Sequence, residues 1–138
     1  MKVAAVICLV LFLSPPLLIP DLYCSVLMKD DFRSMPGPTL LYPVTDDIVL
    51  SGKDHLEFKW IRTRFAETDY FDFRLYRGYN ATGQNLILKD KVDSANYPFR
   101  VPASLFENNR VYTWVLVQVL RDGEKSDRTF SSFKIVKK

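Results

Sequence analysis

His55 is the single histidine of this 138-residue chain, so imidazole chemistry has one position from which to act. A hydrolytic triad needs that ring beside an activated serine and an acid, and the Gly-x-Ser-x-Gly turn that presents such a serine does not occur. One imidazole also falls short of a histidine-built zinc site. Both cysteines, Cys8 and Cys24, lie within the first 24 residues. From Val26 onward there is therefore no thiol nucleophile, no zinc–thiolate set and no internal disulfide. Carboxylates are the remaining candidates. Asp69 with Asp72, and Asp90 with Asp93, are near enough in sequence to be weighed as acid and base, and Asp122, Glu124 and Asp127 gather in one short stretch. Arg121, Lys125 and Arg128 interleave with that trio, whose spacing does not fit an EF-hand calcium loop. These acids read as solvated turn charges and His55 as an exposed residue at a strand start. The sequence is that of a non-enzyme with no catalytic, cofactor or metal site.

Side chains suited to recognition are more numerous. Tyr70, Arg74 and Tyr76 alternate along one segment, and Val115, Val117 and Val119 along another. If both segments are extended and adjacent, these six form one outward patch of tyrosine, arginine and valine, a mix that suits a protein interface or weak self-association. Strand preference alone explains the valines if a neighbouring segment covers them. Arg62, Arg64, Arg74 and Arg77 make a basic zone beside the patch. The whole chain carries 19 basic and 16 acidic residues, a net charge of +3. That surplus is too small for a nucleic-acid partner. Asn80-Ala81-Thr82 fits the N-glycosylation acceptor pattern and sits in a polar stretch read as a loop.

The elements that must position these residues are short alternating runs separated by turn residues, the pattern of an all-β sandwich. Strands are expected over residues 40–43, where Pro43 implies an edge, and over 55–61, where Leu56, Phe58 and Trp60 alternate with Glu57 and Lys59. Residues 48–50 form a second short edge piece. Further strands follow over 70–77, with Phe71, Phe73 and Leu75 inward, then 86–92, 97–101, 111–120 and 130–136. The run over 111–120 alternates the large residues Tyr112, Trp114 and Leu116 with its valines, as a strand in the middle of a sandwich does. Residues 121–127 join the last two strands as a hairpin containing Asp122-Gly123, a favoured turn pair. Residues 103–108 are short enough for one helical turn. With aromatic residues at 14%, large rings supply much of the core.

Ahead of the strands, Met1-Lys2 and the apolar residues 3–13 have the layout of a signal peptide, and Ser14-Pro15-Pro16 ends any helix there. The apolar stretch is short for a membrane span. No small-x-small cleavage pair stands before Asp21, and Cys24 is a candidate for lipidation, although Asp21-Leu22-Tyr23 departs from the usual lipoprotein pattern. Residues 1–25 are therefore a signal peptide or a membrane or lipid anchor, and export is expected. Residues 26–39, with Pro36-Gly37-Pro38, read as a linker.

Pro36-x-Pro38, Trp60, Phe71-x-Phe73-x-Leu75, Leu105-Phe106 and Tyr112-x-Trp114-x-Leu116 together resemble a fibronectin type III or related immunoglobulin-like module. The resemblance spans nearly all of the chain beyond the signal segment. It implies a single two-sheet antiparallel sandwich over residues 40–138. It also implies a core role for Trp60 and a tyrosine corner closed by the Tyr112 hydroxyl. Trp114 stands where the family usually has a smaller aliphatic residue. The function implied is a non-catalytic exported interaction or adhesion module that binds a protein through a sheet face or the loops near Asn80 and Asp122. The alternative is a carbohydrate-binding or envelope-structural domain anchored at Cys24. Exposed aromatics in a row would favour a glycan, and an apolar Val/Tyr patch a protein. The membrane enters only through the N-terminal segment.

Overall fold

A computed structural model describes residues 34–63, 67–93 and 96–138. The expected signal segment, Cys24, Arg64 and the first part of the expected linker lie outside the described residues. Among the described residues eight strands form: β1 (Thr39–Tyr42), β2 (Asp47–Val49), β3 (His55–Ile61), β4 (Thr68–Arg77), β5 (Leu86–Val92), β6 (Phe99–Pro102), β7 (Arg110–Leu120) and β8 (Thr129–Val136). The 3-10 turns Gly83–Asn85 and Ala103–Leu105 lead into β5 and out of β6.

The strands make a three-stranded sheet of order β1-β3-β6 and a five-stranded sheet of order β2-β8-β7-β4-β5. Because β5 pairs with β4 and not with β6, the sandwich is immunoglobulin-like in the fibronectin type III manner. Among the described strands, all pairings are antiparallel except one. β2 lies parallel to β8, with Ile48 opposite Ile135. The chain leaves the first sheet after Tyr42 and crosses to the second while still running forward, so it meets β8 in the same direction. Thr45, at a φ of 61°, makes the turn that permits this crossing.

Alternation decides which side chains are inside. Leu56, Phe58 and Trp60 of β3 face Phe71, Phe73 and Leu75 of β4 and Tyr112, Trp114 and Leu116 of β7, all buried. Phe58 sits among three rings, edge-on to Phe73 at 4.9 Å, Trp114 at 5.0 Å and Phe133 at 5.9 Å. Each such contact adds about 0.5–1.5 kcal/mol beyond the area it buries. Trp114 is fully enclosed because its one polar atom is satisfied: the indole N–H donates to the Pro43 carbonyl at 2.8 Å. A bulky residue at this position thus ties β7 to the segment that crosses between sheets. Tyr112 closes the tyrosine corner, its hydroxyl accepting from the Glu107 N–H at 2.7 Å.

The described end of the expected linker is docked to the sandwich. Met35 is buried and bridges Ser126, and its carbonyl accepts from the Asp127 N–H at 2.7 Å. Gly37 allows this approach. A Cβ there would lie 2.6 Å from the Asp127 carbonyl oxygen and 2.5 Å from the Thr129 methyl.

Candidate interaction surface

The pairing of β4 with β7 brings the six anticipated residues to one face. Tyr70 stands opposite Val119, Asp72 opposite Val117, Arg74 opposite Val115, and Tyr76 opposite Thr113. Their exposure differs from expectation. Tyr76, Val115 and Val119 are buried, at 5%, 3% and 5% exposure, while Tyr70, Arg74 and Val117 are half-buried. A Val/Tyr patch open to a partner is therefore not what this face offers.

Polar side chains on this face reach along the sheet. Arg74 forms a two-pronged bond to Asp72, two residues back on the same strand, at 3.2 and 2.7 Å. The Asp72 carboxylate first, and then the Tyr76 hydroxyl, hold the guanidinium pKa above its already high ordinary value. Lys91 of β5 places its ammonium 4.6 Å from the centre of the Tyr70 ring.

Two aromatic rings remain open on the five-stranded sheet. Phe130, the cross-strand neighbour of Val115 on β8, is 69% exposed, and Tyr79, just past the end of β4, is 74% exposed. Both border one cleft of about 480 Å³. Thr45, Asp46, Asp47, Val111, Ser132 and Lys134 line it as well. The outward positions of β8 (Phe130, Ser132, Lys134) thus run from an aromatic ring to an ammonium across the cleft. Thr113 Oγ1 donates to the Gly78 carbonyl at 2.7 Å and lies 2.7 Å from Ser132 Oγ. A threonine hydroxyl has one proton, so Ser132 must be the donor in the second bond. Ser132 Oγ is left with lone pairs and no further proton.

The other residues singled out by chemistry are dispersed. His55, half-exposed, lies 3.9 Å from Glu57, which also pairs with Lys59 at 3.3 Å and Arg100 at 3.4 Å. Hydrogen bonding from Lys59 is the largest influence holding the Glu57 carboxyl below its usual range. Tyr42, Lys53, Asp54, His55 and Glu57 border a shallow cleft of about 410 Å³, where partial burial raises the Tyr42 phenol pKa. Four of the candidate carboxylates serve the backbone or an ion pair. Asp93 accepts from the Asn96 N–H, Asp90 from the Lys91 N–H and Asp122 from the Glu124 N–H, while Asp72 is held by Arg74. Asn80 is exposed in the loop after β4, its carbonyl accepting from the Thr82 N–H and from Asn85 Nδ2.

Sequence reasoning missed Gln118. It is fully buried on the inner side of β7, accepting from the Thr63 N–H and hydroxyl at 3.0 and 3.1 Å and donating to Thr68 Oγ1 at 2.9 Å. Its place in the alternation after Tyr112, Trp114 and Leu116 was the available signal. The Phe130–Tyr79 cleft was also missed, because its walls come from segments far apart in sequence.

No protein-family model matches the chain and no curated protein matches it. Solved structures with similar folds include the fibronectin(III)-like modules of CbhA from Clostridium thermocellum. They share 15% identity at a TM-score of 0.45, over 72% of this chain and 96% of that one. A beta-1,2-glucanase from Parabacteroides distasonis shares 17% identity at a TM-score of 0.43, over 75% of this chain and 13% of that one. At such identities the likeness is one of fold.

Proposed function

We propose that the protein is an exported, non-catalytic interaction module whose working surface is the outer face of the five-stranded sheet around Phe130 and Tyr79. The observation that carries this reading is that both rings stand largely in solvent at the mouth of one cleft. Burying a side chain as large as phenylalanine is worth about 1.5–3 kcal/mol, so two open rings grouped at a concavity are a store of binding energy the fold has not used. Phe130 is carried on β8, and Tyr79 on the bend that follows β4. Recognition is therefore shifted from the expected Tyr76, Val115 and Val119 to the neighbouring β8 side of the same face.

Export follows from the layout of residues 1–25, and cell fractionation with intact-mass analysis reads it directly. An N-terminal Cys24 carrying acyl chains would establish anchoring, and an unprocessed cytoplasmic chain would rule out export. For the interaction itself, immobilised protein is incubated with envelope material from the producing cells. Wild-type protein should retain material that the Phe130→Ala and Tyr79→Ala variants release. Equal retention by all three would sink the reading.

A further inference from the structure

We infer that the cleft between Phe130 and Tyr79 takes a neutral saccharide, an inference that rests on this face being the working surface. A pyranose ring presents an apolar C–H face and a rim of hydroxyl groups, each with a proton to donate. It is matched by an aromatic platform beside an excess of hydrogen-bond acceptors. The cleft supplies both. Phe130 and Tyr79 offer open ring faces. Asp46 and Asp47 are exposed, and their carboxylates, which can only accept when ionised, have no hydrogen bond or ion pair among the described residues. Ser132 Oγ, its proton committed to Thr113, adds a third acceptor to the lining. Lys134 stands ready to donate to a ring or hydroxyl oxygen.

Charge narrows the class further. Two carboxylates against one ammonium make the cleft locally negative on a chain whose net charge is +3, which disfavours phosphorylated or acidic sugars. An extended proline-rich peptide also docks on aromatic grooves, but its carbonyls ask for donors, and this cleft is rich in acceptors. Backbone geometry points to the same place. Thr45 holds a φ of 61° in the left-handed region, which is costly for a β-branched residue, and it directly precedes Asp46 and Asp47 in the cleft lining.

The test is a titration of the isotope-labelled protein with cellohexaose, laminarihexaose, xylohexaose and chitohexaose, followed through backbone amide shifts. At least one should give saturable shifts centred on Asp46, Asp47 and the first half of β8. Phe130→Ala should weaken that binding about tenfold or more, the scale expected when one aromatic contact is lost. Asp47→Ala should weaken it several-fold. Both side chains are exposed, and an unchanged denaturation midpoint confirms that each variant is folded. The inference is overturned if no hexasaccharide produces such shifts, if the shifts lie elsewhere, or if Phe130→Ala leaves the affinity unchanged. It is also overturned if a polyproline peptide or an acidic oligosaccharide binds the cleft more tightly than every neutral glycan. Should any of these occur while Phe130→Ala still abolishes retention of envelope material, the saccharide assignment falls and the interaction module stands. If retention is also unaffected, both fall.

Discussion

Single residues at the turn into β7 carry stability out of proportion to their size. Tyr112 has no exposed surface, and its hydroxyl is the partner of the Glu107 N–H. Tyr112→Phe keeps the ring contacts with Phe106 and Phe133 and orphans that N–H. We expect a loss of about 1 kcal/mol in urea unfolding at an unchanged m-value. A variant as stable as wild type would mean that water replaces the hydroxyl and the corner adds nothing. Tyr112 was identifiable through the resemblance to fibronectin type III modules that Leu105-Phe106 and Tyr112-x-Trp114-x-Leu116 carry, which implies the corner. For Gln118 the alternation signalled only an inward position, and it gives no sign that Thr63 and Thr68 will meet the glutamine from another segment.

At the level of elements, the sequence located strands better than it located their cover. The bounds of β3 and β5 agree with the alternation and turn residues, while β4 starts two residues earlier than expected, at Thr68. Thr68 pairs with Leu120 past a bulge before Tyr70, and an interrupted register leaves no clean period for sequence reasoning to follow. The segment read as linker shows the same limit. Its Pro36-Gly37-Pro38 composition is that of a tether, yet Gly37 is there because β8 and its preceding turn approach so closely. Gly37→Ala would force the backbone apart at Asp127 and Thr129, with an expected cost of about 1–3 kcal/mol. Hydrogen exchange at the Asp127 amide, which donates to Met35, should accelerate in that variant more than exchange in β3. Uniform acceleration across the sandwich would mean that the segment is no separable clasp.

For the whole molecule, the outer faces of the two sheets divide the labour. The three-stranded sheet carries the ionic row of His55, Glu57, Lys59 and Arg100, and the five-stranded sheet carries the aromatic cleft. The ionic row predicts a response to acid. Glu57 has its pKa lowered from 4.5 in the folded state, chiefly by Lys59. A depressed carboxyl contributes stability that is present above the unfolded pKa and is lost as pH falls through the folded one. Stability should therefore decline below pH 4.5, and Glu57→Gln should reduce the difference between denaturation midpoints at about pH 7 and about pH 3. An identical acid profile in the variant would show that solvent screens the row completely.

Local chemistry by itself determined the strand positions and the inner faces of β3, β4 and β7, while the core role of Trp60 and the tyrosine corner were implied by the resemblance to fibronectin type III modules. Period-two alternation and turn residues act over a few positions, and those are legible in a linear chain. Tertiary structure alone decided the parallel pairing of β2 with β8, the burial of Tyr76, Val115 and Val119, the docking of Met35 and Gly37, and the meeting of Tyr79, Asp46, Asp47 and Phe130 at one cleft. Each of these depends on the register between segments tens of residues apart. Alternation says which side of a strand a residue faces, and only the packing of the other strands says what stands in front of it.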